Sequence, residues 1–353
     1  MRVLVLVGIG LFTGVPQLVA EDLQAAKRAV DDLGLSVSGT YIVPPGELTL
    51  AKNVTQFGTL KRDITATGRK LALMEKQYAQ FEQQFTQAQQ QLVTLNAQLA
   101  NANPNDVFVY NRIVGAVNAL TGQVDLMYQQ RSKMDEQLAA TKAEFSKGRE
   151  SYVQLILDTR ILVEETTAKY EELAQDENVT SAIAAYAKAA RRDYKLGPST
   201  TFAANVKKLE GLEGTLESDT ITLVDAGSNT FHVAVIVNGK HQEQMVVDSG
   251  ASFVSLPFAM AQKLGIKVNE EEDETITLKI ANGDEIYGYP KTIPSLKVGK
   301  FTVENVECVV LESLAAEAEP LLGMSFLGNF KFEINSSEKS LSLMRLEETT
   351  GKR

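Results

Sequence analysis

The chain is poor in the residues that build most metal and redox centres. Of its 353 residues one is cysteine, Cys308, and two are histidine, His232 and His241. A single thiol excludes an intramolecular disulfide framework and any zinc site made of several thiolates. Two histidines without ligand spacing read as packing or surface residues, so neither a metal nor a cofactor is expected. Positive charge is also in deficit, with 35 Lys and Arg against 45 Asp and Glu and a net charge of −10. That excludes the basic stripe a nucleic-acid binder needs for phosphates. No Gly-rich phosphate loop and no Gly-x-Ser-x-Gly elbow occur. Any chemistry therefore runs on carboxylates. Apolar residues at 44% and charged residues at 23% are ordinary for a protein with a buried core, and the length suits two or three domains.

Long apolar runs are missing too, apart from one at the start. Met1-Arg2 precedes a nearly unbroken apolar stretch from Val3 to Val15, then Pro16, Leu18-Val19-Ala20 and Glu21-Asp22. A charged start, an apolar middle and a small residue at the cut describe a secretory signal over 1–20, with cleavage after Ala20. The run is too short to span roughly 30 Å of hydrocarbon as a helix, so stable membrane insertion is not expected. Export, to the periplasm or the medium, is. No cysteine follows to carry a lipid anchor.

After an N-terminal segment, 21–54, residues 55–196 read as a coiled-coil helical module. Phe57, Leu60, Ile64, Thr67, Leu71, Met74, Tyr78, Phe81, Phe85, Ala88, Leu92, Leu95 and Leu99 recur in steps of three and four. Such a seam must be buried against another helix. The Gln-rich positions between are a solvated helical face. Asn103-Pro104-Asn105-Asp106 breaks the pattern, and a second helix is expected over about 107–173, its seam interrupted by Arg131, Thr141 and Gly148. The short turn favours an antiparallel hairpin, although the first seam could instead pair chains. A third helix is expected over 181–194. Residues 197–218, with Gly211 and Gly214, read as a linker.

From 219 to 353 the texture is β: runs of β-branched and aromatic residues bounded by Gly, Asn and Pro. This region holds 12 basic against 20 acidic side chains. Asn238-Gly239 and Asn282-Gly283 mark tight hairpins. Val246-Val247 lead into Asp248-Ser249-Gly250-Ala251, an Asp presented on a loop leaving a strand, with hydroxyls to position it and a glycine that lets backbone approach closely. Asp225-Ala226-Gly227 reads only as a strand-end turn. The acidic run 270–274 lacks the alternating ligands of a calcium loop and reads as solvated. Cys308, in an apolar run, reads as core.

The hairpin 233–239, the Asp248 loop, the segment from Pro257 to Leu264-Gly265-Ile266, Ala281-Asn282-Gly283, and Leu321-Leu322-Gly323-Met324-Ser325-Phe326-Leu327 together resemble the bacterial retropepsin-like aspartic proteases. The resemblance covers about 220–346 and says nothing of the helical module. With the helical module, the expected architecture is a multidomain chain: a long α-helical coiled-coil hairpin followed by an all-β retropepsin-like acid protease domain. The resemblance implies an aspartic endopeptidase, exported by the signal above, with Asp248 catalytic and Ser249, Gly250 and Ala251 as the active-site loop. Asn282, Gly283, Ile286 and Tyr287 would lie on a flap over a peptide or protein substrate. Two carboxylates must share one water and one proton, yet the chain has one Asp-Ser-Gly, so the second carboxylate is expected from another copy in a homodimer. The alternative is a non-catalytic cell-envelope scaffold or peptide-binding protein that keeps the fold for dimerisation. A further expectation is that the helical module promotes the pairing of the two Asp248 loops.

Overall fold

A computed structural model describes residues 14–227, 230–279, 285–315 and 318–346. The chain forms two units, Met1–Thr59 with Gln154–Thr215, and Leu60–Val153 with Leu216–Arg353.

The first unit contains α1 (Gly14–Asp32), β1 (Ser36–Ser38), β2 (Tyr41–Val43), the start of α2 (Pro45–Ala100), the end of α3 (Val107–Gln175), α4 (Glu177–Ala190), β3 (Lys195–Leu196) and α5 (Thr200–Glu213). Pro45 opens α2, where its missing N–H costs nothing. Asp176 caps α4 by accepting from the Asn178 amide, so this helix begins at 177 rather than at 181 and ends at Arg191, which is left-handed (φ 51°). The stretch whose glycines suggest a linker is helical over 200–213. Ser199 caps it, and Phe202 and Leu209 bury one face. The core joins Val30, Ile42, Leu173, Val179, Ile183 and Tyr186.

A buried carboxylate, Glu47, ties this unit together. It accepts from the Tyr170 hydroxyl (2.5 Å) and the Ser199 amide (3.3 Å). Burial, and then the bond to Glu47, push the Tyr170 phenol above its ordinary range. Tyr170→Phe removes the stronger partner of a buried acceptor and is expected to destabilise the unit by about 1–3 kcal/mol. A urea midpoint equal to wild type would show that the bond contributes nothing.

In the second unit α2 and α3 run antiparallel, with Asp106 capping α3 through the Val109 amide. The seam read from sequence is the contact between them. Phe81, Phe85, Ala88 and Val124 are buried together, and Tyr128 meets Phe85 edge-on at 4.7 Å. The three interruptions have partners across the pair. Arg131 Nε lies 2.9 Å from Glu82, the Thr141 hydroxyl donates to Met74 Sδ (3.5 Å), and Gly148 leaves room for Ile64. The first seam is thus consumed within one chain.

The same unit carries a β-rich fold of β4 (Leu216–Thr222), β5 (Val224–Gly227), β6 (Thr230–Val237), β7 (His241–Val247), β8 (Val254–Leu256), α6 (Phe258–Lys263), β9 (Ile276–Lys279), β10 (Glu285–Val298), β11 (Phe301–Leu311), β12 (Leu321–Leu322), α7 (Met324–Leu327), β13 (Lys331–Asn335) and β14 (Ser340–Leu346). Eight strands lie in the order β5-β6-β7-β12-β8-β11-β10-β9, and β10 also pairs with β6, which curls the sheet back on itself. A separate sheet has the order β13-β14-β4. Alternation along β6 buries Phe231, Val233, Val235 and Val237, and Asn238 and Gly239 adopt the left-handed conformations that its turn into β7 requires. Gly265 (φ +76°) ends the helical segment after α6, and the Ile266 amide reaches back to the Ala261 carbonyl. Among the described residues no helix is long and apolar enough to cross a membrane.

Candidate active site

Strand β7 is held in parallel with β12 through Val246↔Leu321 and Val247↔Leu322, and Asp248 is the next residue. Its amide donates to the Leu322 carbonyl (3.2 Å), so the strand pairing fixes where the loop begins. The carboxylate then shapes the turn it sits on. The Gly250 amide donates to Asp248 Oδ1 (2.8 Å), and the Ala251 amide closes on the Asp248 carbonyl (3.3 Å). A Cβ on residue 250 would lie 3.2 Å from that same Oδ1, a tight contact that the glycine avoids. Asp248 is half-buried, with Ser249 and Gly250 exposed beside it.

A second layer supports the loop from below. Met324 and Ser325 donate their amides to the carbonyls of Ala251 (2.8 Å) and Ser252 (3.0 Å). The Ser325 hydroxyl accepts from the Val254 amide (2.9 Å), joining α7 to the start of β8. Ser325 escapes a reading for catalytic residues because it touches only backbone; its signal is its place directly after Gly323-Met324. Gly323 lets the two segments meet. A Cβ there would stand 2.2 Å from the Phe253 carbonyl oxygen and 2.8 Å from that of Ala251. Its φ of −94° is open to any residue, so the requirement is purely steric.

The remaining candidates separate clearly. Asp225 is committed to its turn: its Oδ1 accepts from the Gly227 amide (2.8 Å) and its Oδ2 lies 3.2 Å from Lys339 Nζ. The backbone bond first, and Lys339 after it, hold its carboxyl below the ordinary range. His232 lies 3.2 Å from Glu319. Three residues of the acidic run are tied down by their side chains. Glu270 accepts from Ser313, Asp273 binds Lys291 (2.6 Å) and the Asn269 amide (2.8 Å), and Glu274 pairs with Arg131. Cys308 is buried in the β core, and burial pushes its thiol up to about 12, far from a reactive thiolate.

Asn282 and Gly283 lie outside the described residues. The strands that flank them, β9 and β10, pair from Lys279↔Glu285 to Ile276↔Gly288, as a hairpin requires. Ile286 is half-buried and Tyr287 is 51% exposed, so a side chain on this hairpin is available to an extended peptide. Tyr289, which alternation also allows on that surface, is buried in the core instead.

A cleft of about 780 Å³ runs beside the Asp248 loop, with Ser249, Gly250 and Ser252 on one wall and Lys142, Ala143 and Phe145 of α3 on the other. An Asp on a loop that its own backbone bonds make rigid, at the side of a cleft, is equipped for general acid–base chemistry on a bound chain.

The family model described as "gag-polyprotein putative aspartyl protease" matches residues 233–329, which take in β6, the Asp248 loop, α6, β9 to β12 and α7. A retropepsin-like aspartic protease from Rickettsia conorii, known from a crystal structure, is 32% identical to this chain. The match covers 36% of this chain and 98% of that one, with a TM-score of 0.30. EIAV protease complexed with the inhibitor HBY-793 is 15% identical over 30% of this chain and 90% of that one, with a TM-score of 0.21. No curated protein matches the chain.

Proposed function

Because this chain, through its C-terminal domain, belongs to the retropepsin-like aspartic proteases and is an aspartic endopeptidase, we propose that it acts as an exported homodimer with one active site shared between two chains. The observation that carries this reading is the single Asp-Ser-Gly loop. The domain supplies one carboxylate in the right setting, and its nearest decoy, Asp225, is occupied by Gly227 and Lys339. Two copies of Asp248 across a two-fold axis provide the pair. Two carboxyls at one water cannot both ionise, so one stays protonated. The ionised Asp248 takes the proton of the attacking water while the protonated one donates to the peptide carbonyl oxygen. Ser249, Gly250 and Ala251 keep the carboxylate oriented, and Asn282, Gly283, Ile286 and Tyr287 serve substrate binding. Removal of residues 1–20 after Ala20 releases the enzyme to the periplasm or the medium; the apolar run after Arg2 supports that route.

A mixing experiment tests the shared site. Excess Asp248→Asn chain, equilibrated with wild type, is expected to suppress cleavage of an unfolded protein, since mixed pairs hold one carboxyl and one amide. Cleavage undiminished by the excess would mean a site complete within one chain. No cleavage by wild type, nor by a chain whose helical hairpin has been freed from the β-rich domain, at any pH from mildly acidic to neutral, would leave the domain as a pairing or peptide-docking module.

A further inference from the structure

We propose that the middle of the helical hairpin is a latch: it covers the face through which two Asp248 loops must meet, and it has to leave before the enzyme is active. This rests on the shared-site reading above. The hairpin segment 60–153 and the β-rich domain belong to one unit. Within it, Lys142, Ala143 and Phe145 of α3 line the same cleft as Ser249 and Gly250, the residues that follow Asp248. A partner's loop has to approach this same stretch of chain to bring its own carboxylate to a common water. A cleft of about 780 Å³ admits a small molecule or a short peptide, not a second folded domain. With the hairpin docked, pairing is blocked.

Two ion pairs hold the hairpin there, both directed the same way. Arg131 and Lys142, on α3, bind Glu274 and Glu307 of the β-rich domain. On its own side Arg131 lies 2.9 Å from Glu82 and 5.6 Å from the Phe85 ring centroid, which favour the cation at this place. Glu307 stands on β11, next to Asn305 and Val306, which also line the cleft. The pattern explains why the acidic domain needs no other partner for these two carboxylates. Partly exposed pairs of this kind are individually weak and are screened by salt, which suits a contact meant to open. The α2 seam is already spent on α3, so the hairpin has no need of a second chain to be stable, and its effect on pairing is opposite in sign to that of a dimerising arm.

The test uses the full chain. Glu274→Lys with Glu307→Lys breaks both pairs on the β side, where neither residue serves the Asp248 loop or the hairpin core. Adding Lys142→Glu restores one pair with its polarity reversed. Three readouts are followed: hydrogen exchange at 249–252 and 303–307, sedimentation, and cleavage of an unfolded protein. The double variant is expected to lose protection at both stretches, to dimerise at lower concentration, and to cleave on the order of tenfold faster. The triple variant is expected to move back toward wild type in all three. Release and pairing without cleavage in any variant would support the latch and overturn the protease reading instead. Cleavage by wild type with protection and sedimentation unchanged in the double variant would overturn the latch alone. Release without any gain in pairing would overturn it as well.

Discussion

Asp248→Asn is expected to lower the cleavage rate on the order of 10³- to 10⁴-fold while leaving fold and oligomeric state as they are. The two halves of that expectation have separate causes. Structurally, the role of the side chain is to accept the Gly250 amide at 2.8 Å through Oδ1, and the carboxamide oxygen of asparagine accepts the same bond at the same distance. The loop amides that reach Leu322 and Ala251 involve backbone alone and do not sense the change. Chemically, an amide neither takes the proton of the attacking water nor shares one with a neighbouring carboxyl, so both steps of the acid–base cycle lose their agent. Circular dichroism and sedimentation matching wild type, beside a lost rate, is the expected combination. A purified variant that cleaves at the wild-type rate would remove Asp248 from the mechanism.

Gly323→Ala carries the other large effect, and it reaches the site through packing. The added methyl would sit 2.2 Å from the Phe253 carbonyl oxygen, 2.6 Å from its carbon and 2.8 Å from the Ala251 oxygen, all of them backbone atoms. No side chain can rotate aside. Either β8 or the Asp248 loop must move, and the bonds from Met324 to Ala251 and from Ser325 to Ser252 go with it. The expected loss is roughly 3 kcal/mol or more in the stability of the β-rich domain, together with cleavage, because the carboxylate is no longer aimed. Gly211→Ala is the control of opposite sign. It lies in α5 with open space around its Cβ position, and alanine there gains helix propensity of up to about 1 kcal/mol. A Gly323→Ala chain with an unchanged midpoint and rate would show that the two segments have slack that the structure lacks.

Both predictions begin from residues that stand out in the sequence, yet they were legible in different degrees. The Asp248 loop is a local object. Its turn, its glycine and its hydroxyl neighbour follow from four consecutive residues, and the structure builds the same loop from them. Gly323 is visible as part of an apolar-apolar-Gly element, but its reason is a contact with Phe253, seventy residues earlier in the chain. Ser325 stands in the same element, but its bond to the Val254 amide was not legible, since a hydroxyl bonded to a backbone amide of another segment leaves no pattern in its own. The same division runs through the helices. Periodicity alone located the α2 seam from Phe57 to Leu99, and α3 within two residues at its end. The start of α4 at 177 rested on the Asp176 side chain, and α5 on burial of Phe202 and Leu209. A composition rich in glycine and charge conceals a helix when a cap and two buried residues are enough to hold it.

What the sequence determined by itself is therefore everything that depends on composition or on neighbours a few residues apart: the heptad, the Asn-Gly turn at 238–239, the loop that presents Asp248, and the acidic balance of the β-rich region. Periods of 3.6 and 2 and the φ restrictions of single residues act over such distances and leave their mark in order along the chain. Only the tertiary structure decided what closes with what. It set Gly323 beneath the Asp248 loop, buried Tyr289 while leaving Tyr287 exposed, gave Arg131 and Thr141 partners across the hairpin, and set Lys142 of α3 against Glu307 of β11 beside that loop. These contacts join residues tens to hundreds of positions apart. They are selected by shape and charge once the elements meet, and a linear pattern has no means of recording them.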